Sequence, residues 1–189
     1  MGDPISLIQQ DREEARKLED ALVDRCFLAT VRPDGEPAVR TLVLRELEGD
    51  YAIFCNLTSP KVEQFKSSEE VEVLLWYPSV SIQYRLKAVL EKIPSEKVHA
   101  QWLNKSETTK RIDFLYESHP QSSEIEGREW LKEQVASIQL EDKAPNVVGG
   151  FFLRITRVER LDLATEDGIH DRKAWTLQAS DWIASHLMP

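Results

Sequence analysis

The chain has 189 residues, of which 30% are charged and 41% hydrophobic, a composition that supports one globular domain with a sizeable core. A formal net charge of -9 argues against nucleic acid or an anionic membrane as partner, because such affinity comes largely from Lys and Arg neutralising phosphates. Without an apolar run of membrane-spanning length or a secretory leader pattern, we expect a cytoplasmic protein.

The first predicted element is an amphipathic helix near the N-terminus. Apolar residues recur at helical spacing over residues 6–23, with charged residues between them. In a single domain of residues 1–189, this helix accounts for residues 1–20. We expect its apolar face to cover the core.

Five strands are predicted next, at short spacing. The segment RPDGEP between the first two carries the Pro, Asp and Gly of a tight turn. After the third strand a short helix begins at Pro60, with Ser59 as its N-cap. Closely spaced strands favour an antiparallel sheet or barrel. The strand segments are RCFLATV (25–31), AVRTLVLREL (38–47), YAIFCNL (51–57), EVEVLLWY (70–77) and VSIQYRLKAVLEKI (80–93).

The second half of the chain is predicted to be helical and then extended. Helical apolar spacing covers residues 95–141, divided by the loop HPQSS, and indicates a helical insertion. Two last strands are predicted within residues 150–189, at FFLRITRVERLDLA and RKAWTLQ. The fold class is therefore mainly β with helices (α+β), a β-barrel with helices on its outside.

Two arginines interrupt the apolar strand AVRTLVLREL. Because strand residues alternate between faces, Arg40 shares one face with Leu42 and Leu44, and Arg45 lies on the other. A guanidinium is costly to bury alone, so two explanations stay open: an internal ion pair or exposed edge strand, or a site for an anionic ligand. Roughly 16 Å would separate the two residues along an extended strand, which suits an elongated ligand.

A predicted helix N-terminus downstream favours the anion site. Ser59 and Lys61 place a hydroxyl and an ammonium group beside first-turn amides, an arrangement suited to phosphate or carboxylate. Metal chemistry has little support, because the four histidines show no zinc-type spacing with Cys26 or Cys55. The sequence also has no Gly-rich phosphate loop, nucleophile elbow or Rossmann fingerprint.

Seven short motifs, in this order, resemble the landmarks of the pyridoxine/pyridoxamine 5'-phosphate oxidase family. The resemblance covers about residues 21–189 and implies an FMN-binding split β-barrel with Greek-key-like antiparallel strands and peripheral helices. It further implies FMN as the cofactor and a homodimer with two FMN sites at its interface. The motifs are RTLVLR, FCNLTSPK, SIQYR, HPQSS, PNVVGGF, IHDR and WIASHLMP.

The resemblance also implies which residues contact FMN. In the family, the residue matching Arg45 lies near both flavin and substrate, which makes Arg45 the candidate catalytic residue. The residues matching Gln121 and Ser122 reach the cofactor from the other subunit. The implied cofactor-binding residues are Arg40, Thr41, Leu42, Val43, Leu44, Arg45, Cys55, Asn56, Ser59, Lys61, Gln83, Gln121, Ser122 and Arg172.

The departures from the family lie mainly on the substrate side. An ungapped match places Gln101, Lys105 and Thr109 where the family has a Tyr, an Arg and a Ser that hold the substrate phosphate. Gly168 stands at the position of a substrate-contacting Arg, and Leu161 at that of a Trp lining the flavin. The candidate substrate residues are Lys105, Thr109 and His170.

Three functions remain open at this point. The first is an FMN-dependent oxidoreductase that oxidises or reduces another small molecule. The second is a true pyridoxamine/pyridoxine 5'-phosphate oxidase that makes pyridoxal 5'-phosphate. The third is a non-catalytic FMN-binding or sensing protein.

Overall fold

A computed structural model describes residues 3–189, which form five α-helices, a single 3-10 turn and nine strands. The helices are α1 (Pro4–Lys17), α2 (Pro60–Ser67), α3 (Ser95–Leu103), α4 (Glu107–Leu115) and α5 (Arg128–Ser137). The strands are β1 (Arg25–Val31), β2 (Pro37–Val43), β3 (Arg45–Leu47), β4 (Asp50–Asn56), β5 (Glu70–Tyr77), β6 (Ile82–Lys92), β7 (Val148–Asp162), β8 (Asp171–Gln178) and β9 (Asp181–Leu187).

All strand pairs are antiparallel, and the sheet branches at its longest strand. The main path runs β2-β1-β5-β6-β7-β4-β3, which leaves β2 at one edge and β3 at the other. The N-terminal part of β7 pairs with β4, whereas its C-terminal part pairs with β8, which in turn pairs with β9. The curled sheet brings β2 into contact with β4, so the predicted split barrel of antiparallel strands with outer helices is confirmed.

The core lies on the concave face of this sheet. Alternate residues of β1, β5 and β6 are buried, as the period of two in a strand requires. Gly149 of β7 leaves room for the side chain of Leu57, because a Cβ there would stand 2.4 Å from it. Glycine at this point therefore lets Leu57 pack against β7 just after the end of β4.

Helix α1 is held to the sheet by ion pairs as well as apolar packing. Ile8 and Ala15 are fully buried, as the amphipathic pattern predicts. Buried Arg12 donates to Asp24, to Glu46 and to the carbonyl of Val23. These charged contacts connect the helix to the segment before β1 and to β3.

Three element boundaries differ from the predictions. The helix expected over residues 6–23 ends at Lys17, because the chain turns at Glu19, whose φ is 55°. The strand expected over residues 38–47 is two strands, β2 and β3, since Leu44 turns into the core and is 1% exposed. The C-terminal segment holds three strands rather than two, the last being β9.

None of the helices in residues 3–189 is long and apolar enough to cross a membrane. Residues 1 and 2, part of the predicted N-terminal helix, lie outside the described residues.

Candidate functional site

Strand β2 connects two cavities on the surface of the half-barrel. Arg40, Thr41 and Leu42 line a first cavity of about 500 Å³. Val43 and Arg45, immediately after them, line a second cavity of about 530 Å³. The two arginines that interrupt the predicted strand therefore line different cavities, one on each side of the break at Leu44.

Arg40 is half-buried in the first cavity and is held by neutral oxygen atoms. Its Nη1 donates to Thr30 Oγ1 at 2.6 Å and to the carbonyl of Leu28 at 3.2 Å. Its Nη2 donates to Oε1 of Gln64 on α2 at 2.7 Å. Burial, together with the nearby charge of Arg32, lowers the pKa of Arg40. No carboxylate of residues 3–189 forms an ion pair with it, although β2 is an edge strand.

Lys61, in the first turn of α2, is the second cation of the first cavity. It is 8% exposed, and its Nζ donates to Ser59 Oγ at 2.6 Å and to Gln121 Oε1 at 3.4 Å. Burial lowers the pKa of Lys61, and the charge of Arg40 lowers it further. Like Arg40, it has no carboxylate partner among the described residues.

The loop after α4 closes one side of the first cavity. The amide of Gln121 donates to Thr58 Oγ1 at 2.9 Å, and that hydroxyl donates in turn to Asn56 Oδ1 at 2.6 Å. Gln121 and Ser122 line the cavity together with Lys61. Lys61, Gln121 and Ser122 of one chain thus line the same cavity, whereas the resemblance implies that Gln121 and Ser122 reach the cofactor from the other subunit, and that expectation stays a prediction.

The first cavity has the chemistry of an anion site. Its lining residues include three cations and no acidic residue, and only Arg32, paired with Glu36 at 2.7 Å, is neutralised within the described part of the chain. Two semi-buried cations without counter-ions are costly in the empty protein and favour a negatively charged ligand. Ser59, the N-cap, and the first turn of α2 contribute to the same wall.

The second cavity combines apolar walls with one unpaired cation. Its apolar lining comes from Val43, Phe54, Val98, Trp102 and Val148. Arg45 is exposed, and no carboxylate within residues 3–189 forms an ion pair with it. The neutral polar residues that line this cavity are Gln101, Asn104, Ser106 and Thr109. The second basic residue of the cavity is Lys105.

Two candidate substrate residues of the second cavity are already engaged in the protein. Lys105 Nζ lies 2.7 Å from Asp113 Oδ2, and the same oxygen accepts a hydrogen bond from Trp102 Nε1 at 3.0 Å. The hydroxyl of Thr109 lies 2.9 Å from that of Ser106, the N-cap of α4. Both side chains line the cavity, but Lys105 also connects the end of α3 to α4 through Asp113, and Thr109 takes part in the N-terminal cap of α4.

Other predicted residues lie on or near β4. Leu44 is in the core, whereas Cys55 and Asn56 form the end of β4. Burial raises the pKa of the Cys55 thiol, although the positive charges of Lys61 in the first cavity and Lys105 in the second act to lower it. Cys55 is therefore a neutral side chain situated between the two cavities.

Three further predicted positions form a row elsewhere on the sheet. Gln83 pairs with Leu161, and Leu161 pairs with Arg172, across β6, β7 and β8. Arg172 Nη2 donates to Glu159 Oε2 at 2.9 Å. None of these residues lines either cavity of the described chain.

His170 also lies apart from both cavities, in the exposed loop between β7 and β8. Gly168 in this loop has a φ of 73°, a left-handed conformation that glycine adopts without strain. The turn therefore gives a structural reason for glycine at the position where the family resemblance implies an arginine.

Sequence reasoning missed several residues that line the two cavities or hold their cations in place. Gln64 lies three residues after Lys61, so helical spacing places both on one face of α2 and could have indicated it. Thr30 is opposite Ala38 in the β1–β2 register, which the predicted hairpin would have given. Phe54 and Val148 had no such signal, because the pairing of β4 with β7 brings together residues about 100 positions apart.

The fold and these cavities define an antiparallel split-barrel protein with a basic cavity beside a larger apolar one. The sequence model of the family described as pyridoxamine 5'-phosphate oxidase matches residues 13–142, more than half of the chain, so the protein belongs to this family.

Named relatives support the same assignment. A pyridoxine/pyridoxamine 5'-phosphate oxidase of Shewanella sediminis is 28% identical over 196 residues, covering 100% of this chain and 90% of that protein. The enzyme of the same name from Acinetobacter baumannii strain SDF is 32% identical over 170 residues, covering 86% of this chain and 76% of that protein.

Two solved structures share the fold along the whole chain. PhzG from Burkholderia lata 383, solved in complex with tetrahydrophenazine-1-carboxylic acid, has a TM-score of 0.88 at 20% identity and covers 100% of this chain and 94% of its own. A pyridoxamine 5'-phosphate oxidase-related, FMN binding protein from Nostoc punctiforme has a TM-score of 0.82 at 21% identity, with coverages of 100% and 99%. At these identities the likeness concerns the fold alone.

Proposed function

We propose that the protein is an FMN-dependent oxidoreductase that acts on a small molecule. The observation that carries this proposal is the pair of semi-buried cations, Arg40 and Lys61, that face the first cavity without a carboxylate partner. They would hold the phosphate of FMN, with Ser59, Gln64 and Gln121 as neutral hydrogen-bonding partners. The family assignment and the name of the Nostoc protein support this choice of anion.

When bound, FMN would supply the redox chemistry of the site. The protein would bind the cofactor, orient it and place charged side chains beside it. Strand β2 leads from the first cavity into the second, so a ligand anchored at Arg40 extends toward Arg45. There the guanidinium of Arg45 favours negative charge that develops during electron transfer, while Phe54 and Trp102 restrict water.

We further propose a homodimer with composite sites. Gln83 and Arg172, two of the cofactor residues implied by the resemblance, line neither cavity of their own chain. A second copy would bring its Gln83–Leu161–Arg172 row to the first chain's cavities. Leu161 would then cover less of the flavin than the Trp that the family has at this position.

A matched pair of lysine variants tests the FMN proposal. Lys61→Met removes the buried cation of α2, whereas Lys66→Met removes an exposed one that is paired with Glu63 at 2.6 Å. We expect purified wild type to bind FMN in a fluorescence titration, Lys61→Met to bind it at least tenfold more weakly, and Lys66→Met to match wild type. A wild-type protein that ignores added FMN would refute the proposal.

The second candidate is a true pyridoxamine/pyridoxine 5'-phosphate oxidase. It is favoured by the names of the curated relatives and by the gathering of Arg45, Lys105 and Thr109 in one cavity. Oxygen consumption with pyridoxamine 5'-phosphate separates it from oxidoreductases of other substrates. An FMN-loaded protein without turnover of any substrate would instead belong to the non-catalytic alternative.

A further inference from the structure

The charge of the second cavity depends on a residue outside its lining. Of the lining residues only Arg45 and Lys105 are charged, and Lys105 is paired with Asp113. We propose that Asp113, by neutralising Lys105, makes the cavity specific for a ring-bearing monoanion such as a carboxylate and disfavours phosphate monoesters. This inference rests on the proposed function in one respect, which is that it takes the ligand of the second cavity to be the substrate.

The Lys105–Asp113 pair is fixed by its surroundings. The side chain of Asp113 is 9% exposed and that of Lys105 30% exposed, with 2.7 Å between Nζ and Oδ2. The same Oδ2 accepts the indole hydrogen bond of Trp102, which is 1% exposed. A carboxylate held by two donors in a buried position cannot turn away to release the lysine without leaving those donors unpaired.

Arg45 is then the remaining cation for a ligand. One guanidinium binds one carboxylate bidentately, so charge and hydrogen bonds are both satisfied. A phosphate monoester carries about -1.5 to -2 at pH 7, so part of its charge would stay uncompensated between the apolar walls of Phe54, Val98 and Trp102. The cavity volume of about 530 Å³ is within the range of small-molecule sites, and these walls suit a flat ring.

The test uses two probes that share a ring and differ in charge, 1-naphthoate and 1-naphthyl phosphate. Dissociation constants are measured calorimetrically on the FMN-loaded protein, and in parallel on FMN-free Lys61→Met, whose first cavity has lost one of its two unpaired cations. We expect wild type to bind the naphthoate at least tenfold more tightly than the phosphate. In Asp113→Asn the amide oxygen still accepts from Trp102 while Lys105 becomes available, so the preference should move at least tenfold toward the phosphate.

Three further variants show whether charge is the cause. The double variant Lys105→Met/Asp113→Asn restores a neutral pair and should recover the wild-type preference, which a general loosening of α3 and α4 would not. Arg45→Met should weaken naphthoate binding at least tenfold. Arg128→Met, at the exposed start of α5, controls for net charge and should leave both constants unchanged.

The proposal is overturned if wild type prefers the phosphate, or if a folded Asp113→Asn keeps the wild-type ratio. Should Asp113→Asn fail to fold, the wild-type preference still decides the matter, because a preference for the phosphate overturns the proposal. A protein that prefers naphthoate but never binds FMN would refute the proposed function and leave this inference intact. An FMN-loaded protein that prefers naphthyl phosphate would refute this inference and leave the proposed function intact.

Discussion

At the scale of single residues, Lys61 shows a conflict between stability and binding. Its ammonium group is nearly buried, and its partners are the neutral oxygens of Ser59 and Gln121. Burial of a charge without a counter-ion opposes folding, which is why burial lowers the pKa of Lys61. A residue kept at such a cost is typical of a ligand site.

We therefore predict that Lys61→Met stabilises the ligand-free protein near neutral pH. Removing the buried charge should raise the free energy of unfolding by about 1 kcal/mol, or the melting temperature by about 2–4 °C for a chain of this size. Lys66→Met should change stability by less than about 0.5 kcal/mol. A lower melting temperature for ligand-free Lys61→Met would contradict the prediction.

The difference in stability between wild type and Lys61→Met should depend on pH. Because the folded pKa of Lys61 is below the unfolded value of 10.5, the folded state binds fewer protons between the two values. Wild-type stability then gains from Lys61 as the pH rises through that window. The advantage of Lys61→Met should accordingly shrink toward pH 10.5.

At the scale of elements, Asp20 connects the segment after α1 to the 3-10 turn after β5. It is 7% exposed and accepts hydrogen bonds from Leu22 N at 2.8 Å, Ser79 N at 2.9 Å and Ser79 Oγ at 2.7 Å. Burial by itself would raise the pKa of Asp20, but these hydrogen bonds outweigh it and lower the pKa below 3.8. Ionised Asp20 therefore stabilises the connection between the two elements.

We predict that Asp20→Asn destabilises the protein by about 1–2 kcal/mol at neutral pH, since it removes charge-assisted hydrogen bonds. A depressed carboxyl pKa contributes stability above the unfolded value of 3.8 and loses it as the pH falls through the folded value. Urea unfolding at neutral and acid pH should show the difference from wild type decreasing at acid pH. Asp34→Asn, in the exposed β1–β2 turn, is the control with little effect.

At the scale of the whole molecule, the row on β6, β7 and β8 has a basic cluster of its own. Glu159, 8% exposed, pairs with Arg172 and Arg157 at 2.9 Å and with Arg85 at 3.4 Å. Although burial alone would raise the pKa of Glu159, the hydrogen bonds of Arg172 and Arg157 hold it below its usual value. Three arginines around one carboxylate leave an excess of positive charge, which suits an anion presented by another subunit.

Complementation between variants tests the proposed composite site. Lys61→Met and Arg172→Met should each bind FMN at least tenfold more weakly. If a site takes Lys61 from one subunit and Arg172 from the other, chains of the two variants that are mixed, unfolded and refolded together should form dimers with one intact site. About half of these dimers would be mixed, so tight FMN binding should return at roughly a quarter of the wild-type stoichiometry.

The control mixes Lys61→Met with the double variant Lys61→Met/Arg172→Met, which cannot form an intact site. Arg172→Met leaves Glu159 paired with Arg157 and Arg85, so the fold should survive the substitution. Unrestored binding in the first mixture would show that each site is built from one chain.

The sequence by itself determined the elements whose information is local. The hairpin turn at RPDGEP, the start of α2 at Pro60 and the bounds of β1 and β5 were predicted correctly, because turn chemistry, capping and strand-forming composition act within a few residues. The ordered motifs were sufficient for the family, which the family match confirms.

Only the tertiary structure decided where the two arginines of AVRTLVLREL lie. The break at Leu44 depends on the curl of the sheet, which buries that side chain and directs Arg40 and Arg45 into separate cavities. Likewise, the neutralisation of Lys105 depends on α4 packing against α3, which brings Asp113 to it. Contacts of this kind arise from long-range pairing and helix docking, and no local pattern in the sequence encodes them.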